Sequence, residues 1–104
     1  MTSSIEPKKI LYQLVSPLHV VAGASEVERR QAMLRRWASP SVSIDIASPQ
    51  EGPPVIESQI DAALGFANLH PVAPQWTPDG YGAVIIGCFS DPGVEALREM
   101  TSAA

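Results

Sequence analysis

Proline is the residue that most restricts this chain. Ten prolines are spread through 104 residues, and a proline inside a helix removes a backbone hydrogen bond and clashes with the preceding turn. A helical bundle or coiled coil is therefore excluded, and the chain must be built from short elements. Between the prolines lie three apolar runs of strand length. Ile10 to Val15 is continuously apolar apart from Tyr12 and Gln13, as in a strand covered on both faces, and Ser16-Pro17 stops it. Val42, Ile44 and Ile46 alternate with Ser43 and Asp45, the period of a strand with one wetter face, which suits a sheet edge. Ala83 to Ile86 is the strongest run, apolar on both faces, and it ends at Gly87-Cys88.

Helical patterns separate and follow these runs. Ser25 with Glu28 reads as a capping box that opens a helix reaching about Ala38, with Val27, Met33, Leu34 and Trp37 on one side and Arg29, Arg30, Arg35 and Arg36 on a solvated one. Ile56, Ile60, Ala63, Leu64 and Ala67 describe the stripe of a second helix. The stretch from His70 to Gly80 carries three prolines and reads as an irregular connection in which Trp76 plugs an edge of the core. Asp91 as cap and Pro92 in the first helical position open a last helix with Val94, Leu97 and Met100 inward. Strand and helix in strict alternation predict an α/β fold, a three-layer parallel βαβαβα arrangement with right-handed crossovers.

Apolar residues make up 45% of the chain and charged ones 17%, enough for a core and too little charge for disorder. A net charge of -4 argues against nucleic acid as a partner. One cysteine and two histidines cannot supply a structural zinc site, and the single cysteine points to a reducing, cytoplasmic setting. Lys8-Lys9 and the run to Ala24 resemble a secretory signal, but Gln13, Pro17 and His19 interrupt it. No run is long enough for a membrane span.

Ligands of open parallel sheets bind at the carboxyl ends of the strands. Cys88 falls there, where helix N-terminal amides would stabilise a thiolate and hold an anionic oxygen. Two readings stand: a nucleophile or general base, and an inert cysteine at a strand end. His19 and His70 lie on loops without triad partners, and Gly80-Tyr81-Gly82 is not a phosphate loop.

The run from Ala83 to Glu99, with Cys88-Phe89-Ser90-Asp91-Pro92-Gly93 at its centre, resembles the first cysteine motif of the aspartate/glutamate racemase superfamily, in its hydantoin and allantoin racemase branch. Gly52 to Ser58 is similar to the segment entering that family's second helix, and Val15-Ser16-Pro17-Leu18 stands where the family has Asn-Pro-Asn. The resemblance implies two α/β lobes with a cysteine from each facing opposite sides of a substrate carbon, and proton transfer without metal or pyridoxal phosphate. Cys88 would be one acid/base, the amides of Phe89 and Ser90 oxyanion donors, and Ser16, Pro17 and Asp91 further substrate contacts. The implied ligand is a hydantoin or an amino-acid derivative.

Two departures from the family pattern matter. The family is roughly double this length and its second cysteine lies in the other lobe, so the chain reads as the N-terminal lobe, unable to racemise as a single copy. Of the polar side chains of Asn-Pro-Asn, Ser16-Pro17-Leu18 keeps only a serine hydroxyl. An uncovered sheet edge predicts self-association or a partner lobe. The alternative is a noncatalytic interaction module derived from the same fold.

Overall fold

A computed structural model describes residues 8–88 and 90–104. Its order is β1 (Lys8–Leu14), α1 (Leu18–Val21), α2 (Ala24–Trp37), β2 (Val42–Ala47), α3 (Gln59–Leu69), a 3-10 turn (Ala73–Gln75), β3 (Ala83–Gly87) and α4 (Val94–Arg98). The three strands form one parallel sheet in the order β2-β1-β3. Ile10 lies opposite Ile44 on one side and Ala83 on the other. The sequence reading of an α/β parallel sheet holds, and β2 stands at an edge as its alternation requires.

Strand alternation sorts β1 onto two faces. Leu11 and Val15 join Leu69, Ala73, Trp76 and Leu97 in the buried core, with Val84, Ile86 and Phe66 packed against it. Tyr12 and Ile46, on the opposite face, share a hollow with Met33 and Leu34 of α2. The sheet is thus the middle of three layers, and Trp76 fills the core as its sequence position suggests. Among the described residues no helix is long and apolar enough to cross a membrane.

Several local expectations are corrected. α2 begins at Ala24 with Gly23 as its cap at φ 88, so Ser25 lies inside the first turn and makes no cap bond. A glycine adopts that backbone without strain, which lets the helix start before the serine. Glu26 faces its own helix, pairing with Arg29 and Arg30, while Arg35 reaches Asp45 at 3.6 Å. Trp37 is 73% exposed rather than inward.

The second helix is rotated relative to its predicted stripe. Gly65 and Leu69 are its buried residues, while Ile60 and Leu64 are 69% and 51% exposed. The cause is contact with β1: a methyl at Gly65 would overlap Val15 Cγ1, so only the bare backbone lets α3 come this close. Ile56 precedes the helix but still packs against the core.

The last turn differs too. Gly93, at φ 72, caps α4, while Asp91 has a positive φ of 46 and closes a turn through its N–H to the Cys88 carbonyl at 3.0 Å. Asp91 is therefore a turn residue, not the helix cap. β3 also differs from a strand covered on both faces, because Ile85 is 44% exposed. α1 has no counterpart in the sequence reading.

Candidate functional site

The β3 register places Gly87 opposite Leu14. Cys88 and Ser16 therefore follow the carboxyl ends of neighbouring strands, the end at which parallel sheets hold ligands. Cys88 is partly exposed and unpaired with any other cysteine. Its Sγ lies 3.2 Å from Ser90 Oγ. The thiol and Ser90 border an open hollow of about 730 Å³, whose other walls are Ile56, Glu57, Ser58, Gln59 and Ala62.

That wall is the entry of α3. Ser58 caps the helix, its Oγ accepting from Asp61 N–H at 3.1 Å, and Asp61 Oδ2 accepts from Glu57 N–H at 3.0 Å. The exchange locks the first turn in place. The N–H groups of Gln59 and Ile60 have no acceptor within the helix, because the first turn of any α-helix leaves its leading amides free. Gln59 lines the hollow. The positive end of the α3 dipole thus stands across from the cysteine. Such an end favours negative charge on a bound molecule.

The remaining predicted positions are less closely grouped. Asp91 borders a separate, smaller hollow with Tyr12, Ile86, Gly87 and Cys88. Ser16 and Pro17 are absent from both sets of lining residues. The Ser16 carbonyl is instead tied to the β2 end, accepting from Ser48 Oγ at 3.2 Å and from Leu18 N–H at 2.8 Å. Ser48 Oγ also accepts from Leu18 N–H at 2.8 Å and meets His19 Nδ1 at 3.1 Å. Pro17 is buried beneath this junction. Phe89 lies outside the described residues.

The structure thus brings Cys88 and Ser90 together, sets Asp91 beside them, and leaves Ser16 and Pro17 as parts of the β1–β2 junction. Reading the sequence for chemistry missed the α3 wall. Its signal was present, since Ser58-Gln59-Ile60-Asp61 has the serine and the acidic residue three positions on that mark a capped helix start.

Residues 15–104 match the family model for Asp/Glu/hydantoin racemase. A hydantoin racemase of Paenarthrobacter aurescens is 37% identical over 62 residues, covering 56% of this chain and 25% of that protein. A hydantoin racemase of Pseudomonas sp. strain NS671 is 28% identical over 89 residues, covering 86% of this chain and 34% of that one. The allantoin racemase from Klebsiella pneumoniae superposes with a TM-score of 0.75 at 25% identity, over 89% of this chain and 36% of the other. The chain therefore spans a quarter to about a third of the length of these relatives. With its cysteine at the carboxyl end of β3, its three-stranded parallel sheet and a family match running from Val15 to the last residue, the chain belongs to the Asp/Glu/hydantoin racemase family.

Proposed function

We propose that this chain supplies one half of a cofactor-independent racemase site, with Cys88 as the acid/base on one face of a hydantoin-like or amino-acid-like carbon. The observation that carries the reading is the position of the thiol, bordering an open hollow opposite the amide-rich start of α3, in a chain of racemase descent. Inversion at carbon requires a base on one face of the planar carbanion and an acid on the other. Cys88 as thiolate takes the α-proton. The electron pair moves onto the adjacent carbonyl, where the free amides at Gln59 and Ile60 lower the cost of the developing charge. A proton delivered to the opposite face completes inversion.

Cys88 is the only cysteine of the chain. The second acid/base group belongs to polypeptide that packs over the carboxyl end of the sheet, in keeping with the relatives' greater length. A single copy retains the one-face half of the reaction: removal of the α-proton and return of a solvent proton from the same side. Incubation with an enantiopure hydantoin in deuterated buffer tests this by proton NMR. Deuterium enters at the α-carbon with retained configuration, and Cys88→Ser lowers the rate about 100-fold or more. Equal exchange in parent and variant, at the buffer rate, overturns the reading.

A further inference from the structure

Tyr12 and Gly87 meet across two strands. In the β1–β3 register Tyr12 lies opposite Ile85 and Leu14 opposite Gly87, so Tyr12 and Gly87 are diagonal neighbours on one face of the sheet. A Cβ built on Gly87 would stand 2.5 Å from Tyr12 Cε1, 2.9 Å from Cζ and 3.2 Å from Cδ1. One edge of the ring therefore rests on the Gly87 backbone, in the space that a side chain there would fill. Gly87 is not among the positive-φ glycines, so it is the closeness of the ring that excludes a side chain at 87. An aromatic ring laid over a glycine of the next strand replaces the packing that the glycine itself lacks.

The ring joins two parts of the fold. Tyr12 borders a hollow with Met33 and Leu34 of α2 and Ile46 of β2, so it stands between the helix on that face and the last residue of β3. Cys88 follows directly. The ladder with β1 ends at the pair Leu14 and Gly87, and beyond it the chain turns. Cys88 N–H donates to the Ile86 carbonyl at 2.9 Å, and the Cys88 carbonyl accepts from Asp91 N–H at 3.0 Å. Both bonds tie the turn to itself and neither ties it to the sheet. The three atoms nearest to a Cβ at Gly87 all belong to Tyr12, which makes this ring the brace at the base of the turn.

Tyr12 also shares the smaller hollow with Cys88 and Asp91. The hydrogen-bond partner of Cys88 Sγ is Ser90 Oγ, not the phenol. Tyr12 thus bears on the thiol through the backbone rather than by exchanging a proton with it.

We propose that Tyr12 is a positioning residue for Cys88. Its ring presses on Gly87, fixes the peptide that leads into the turn, and so sets where the thiol stands against the first turn of α3. A misplacement of about 1 Å in a reacting group costs on the order of 100-fold in rate, so a loose peptide at this point is felt in the chemistry. The catalytic consequence rests on the acid/base role proposed for Cys88; the bracing of the turn does not. The ring is needed and the hydroxyl is dispensable.

The test reads backbone and reaction separately. Amide relaxation gives the order parameter at Cys88, and proton NMR in deuterated buffer gives kcat and KM for one-face exchange of an enantiopure hydantoin. Tyr12→Val takes the Cys88 order parameter from about 0.85, a rigid backbone, to below about 0.6, while the Ile44 amide on β2 keeps the parent value. It lowers kcat about tenfold or more with KM unchanged. Tyr12→Phe, which keeps the ring, matches the parent in both measurements. Gly87→Ala attacks the same contact from the other strand, because its methyl meets the ring, and it loosens Cys88 as well. Combined with Tyr12→Val the alanine recovers order, since its methyl enters the space the ring has left. An order parameter at Cys88 that is alike in Tyr12→Val and the parent overturns the proposal. So does a fall in order with kcat unchanged, or a loss in Tyr12→Phe, which would assign the effect to the hydroxyl. A parent without any exchange refutes the acid/base role of Cys88 instead, and the order parameter alone then decides whether Tyr12 holds the turn.

Discussion

Replacing Gly65 by alanine sets two opposing effects against each other. In the middle of an exposed helix, glycine to alanine stabilises by about 1 kcal/mol. At Gly65 the new methyl overlaps Val15 Cγ1 and also comes within 3.5 Å of Ile56 Cδ1. Val15 is 2% exposed at the end of the central strand, so it has nowhere to move. Overpacking a filled core costs about 1–3 kcal/mol, and an overlap with an immobile side chain belongs at the upper end. The clash therefore wins, and Gly65→Ala destabilises by about 2 kcal/mol. Val15→Ala alone costs about 2 kcal/mol through lost burial and the space left behind. In that background the overlapping Cγ1 is gone, the helix gain returns, and the double variant is about 1 kcal/mol more stable than either single one. Urea unfolding followed by the fluorescence of buried Trp76 measures all four proteins; exposed Trp37 contributes a nearly constant signal. If Gly65→Ala shifts stability equally with Val15 and with Ala at position 15, the account of how α3 sits on β1 is wrong.

The remaining expectations are narrower. Burial, the 2.8 Å hydrogen bond to Asp45 and the charges of Asp45 and Asp79 push the Tyr81 phenol up to about 12. A pKa raised by folding stabilises below the unfolded value of about 10 and loses that contribution as pH climbs through about 12. Ultraviolet difference titration of the parent against Tyr81→Phe shows a midpoint near 12, moving toward 10 with Asp45→Ala. A midpoint near 10 in the parent would refute it. Gln31→Ala removes both bonds that seal the outer edge of β2, from Nε2 to the Ile44 carbonyl and from Ile46 N–H to Oε1, so the Ile46 amide exchanges about tenfold faster or more and the protein becomes prone to edge association. Unchanged exchange at Ile46 would show that the seal contributes nothing.

What the sequence carried and what it did not follows from how each signal arises. Strands β1 and β3 were legible because continuous apolar runs bounded by proline and glycine have few other interpretations. β2 was legible as an edge because one of its faces is wet. The orientation of α3 was not, since a hydropathy stripe weighs Ile60 and Leu64 heavily and gives Gly65 nothing, whereas in the fold the missing side chain decides which face meets β1. The cap at Ser58 was hidden for a related reason: the apolar stripe starts at Ile56, two residues before the helix is capped. Cys88 could be placed at a strand end from its neighbours alone. Its opposite wall required the fold, because residues 56–62 meet residues 88 and 90 only once α3 has crossed the sheet.

The pattern of exposed apolar side chains bears on the proposed second lobe. In a parallel sheet the turns after β1, β2 and β3 all emerge at one end. Val20 and Val21 lie after β1, Val55 and Ile60 lie after β2, and all four are more than half exposed. At the other end the turn between α2 and β2 is Ser39-Pro40-Ser41 and the one before β3 contains Asp79-Gly80, with Trp37 and, past the end of α3, Val72 as the exposed large apolar side chains among the described residues. Hydrophobic surface thus accumulates at the end that carries Cys88. Catalysis alone gives no reason for it, since valines at 20, 21 and 55 line neither hollow at the cysteine. A surface that is apolar around a polar site is what a lid of protein requires: under the proposed function, burial of the valines and Ile60 would hold the covering polypeptide in place and exclude water from the thiol. On this argument Val20→Asp or Val21→Asp leaves one-face deuterium exchange by Cys88 intact and would weaken only the association proposed to supply the second acid/base group. A loss of one-face exchange in either variant would place these residues in the site itself.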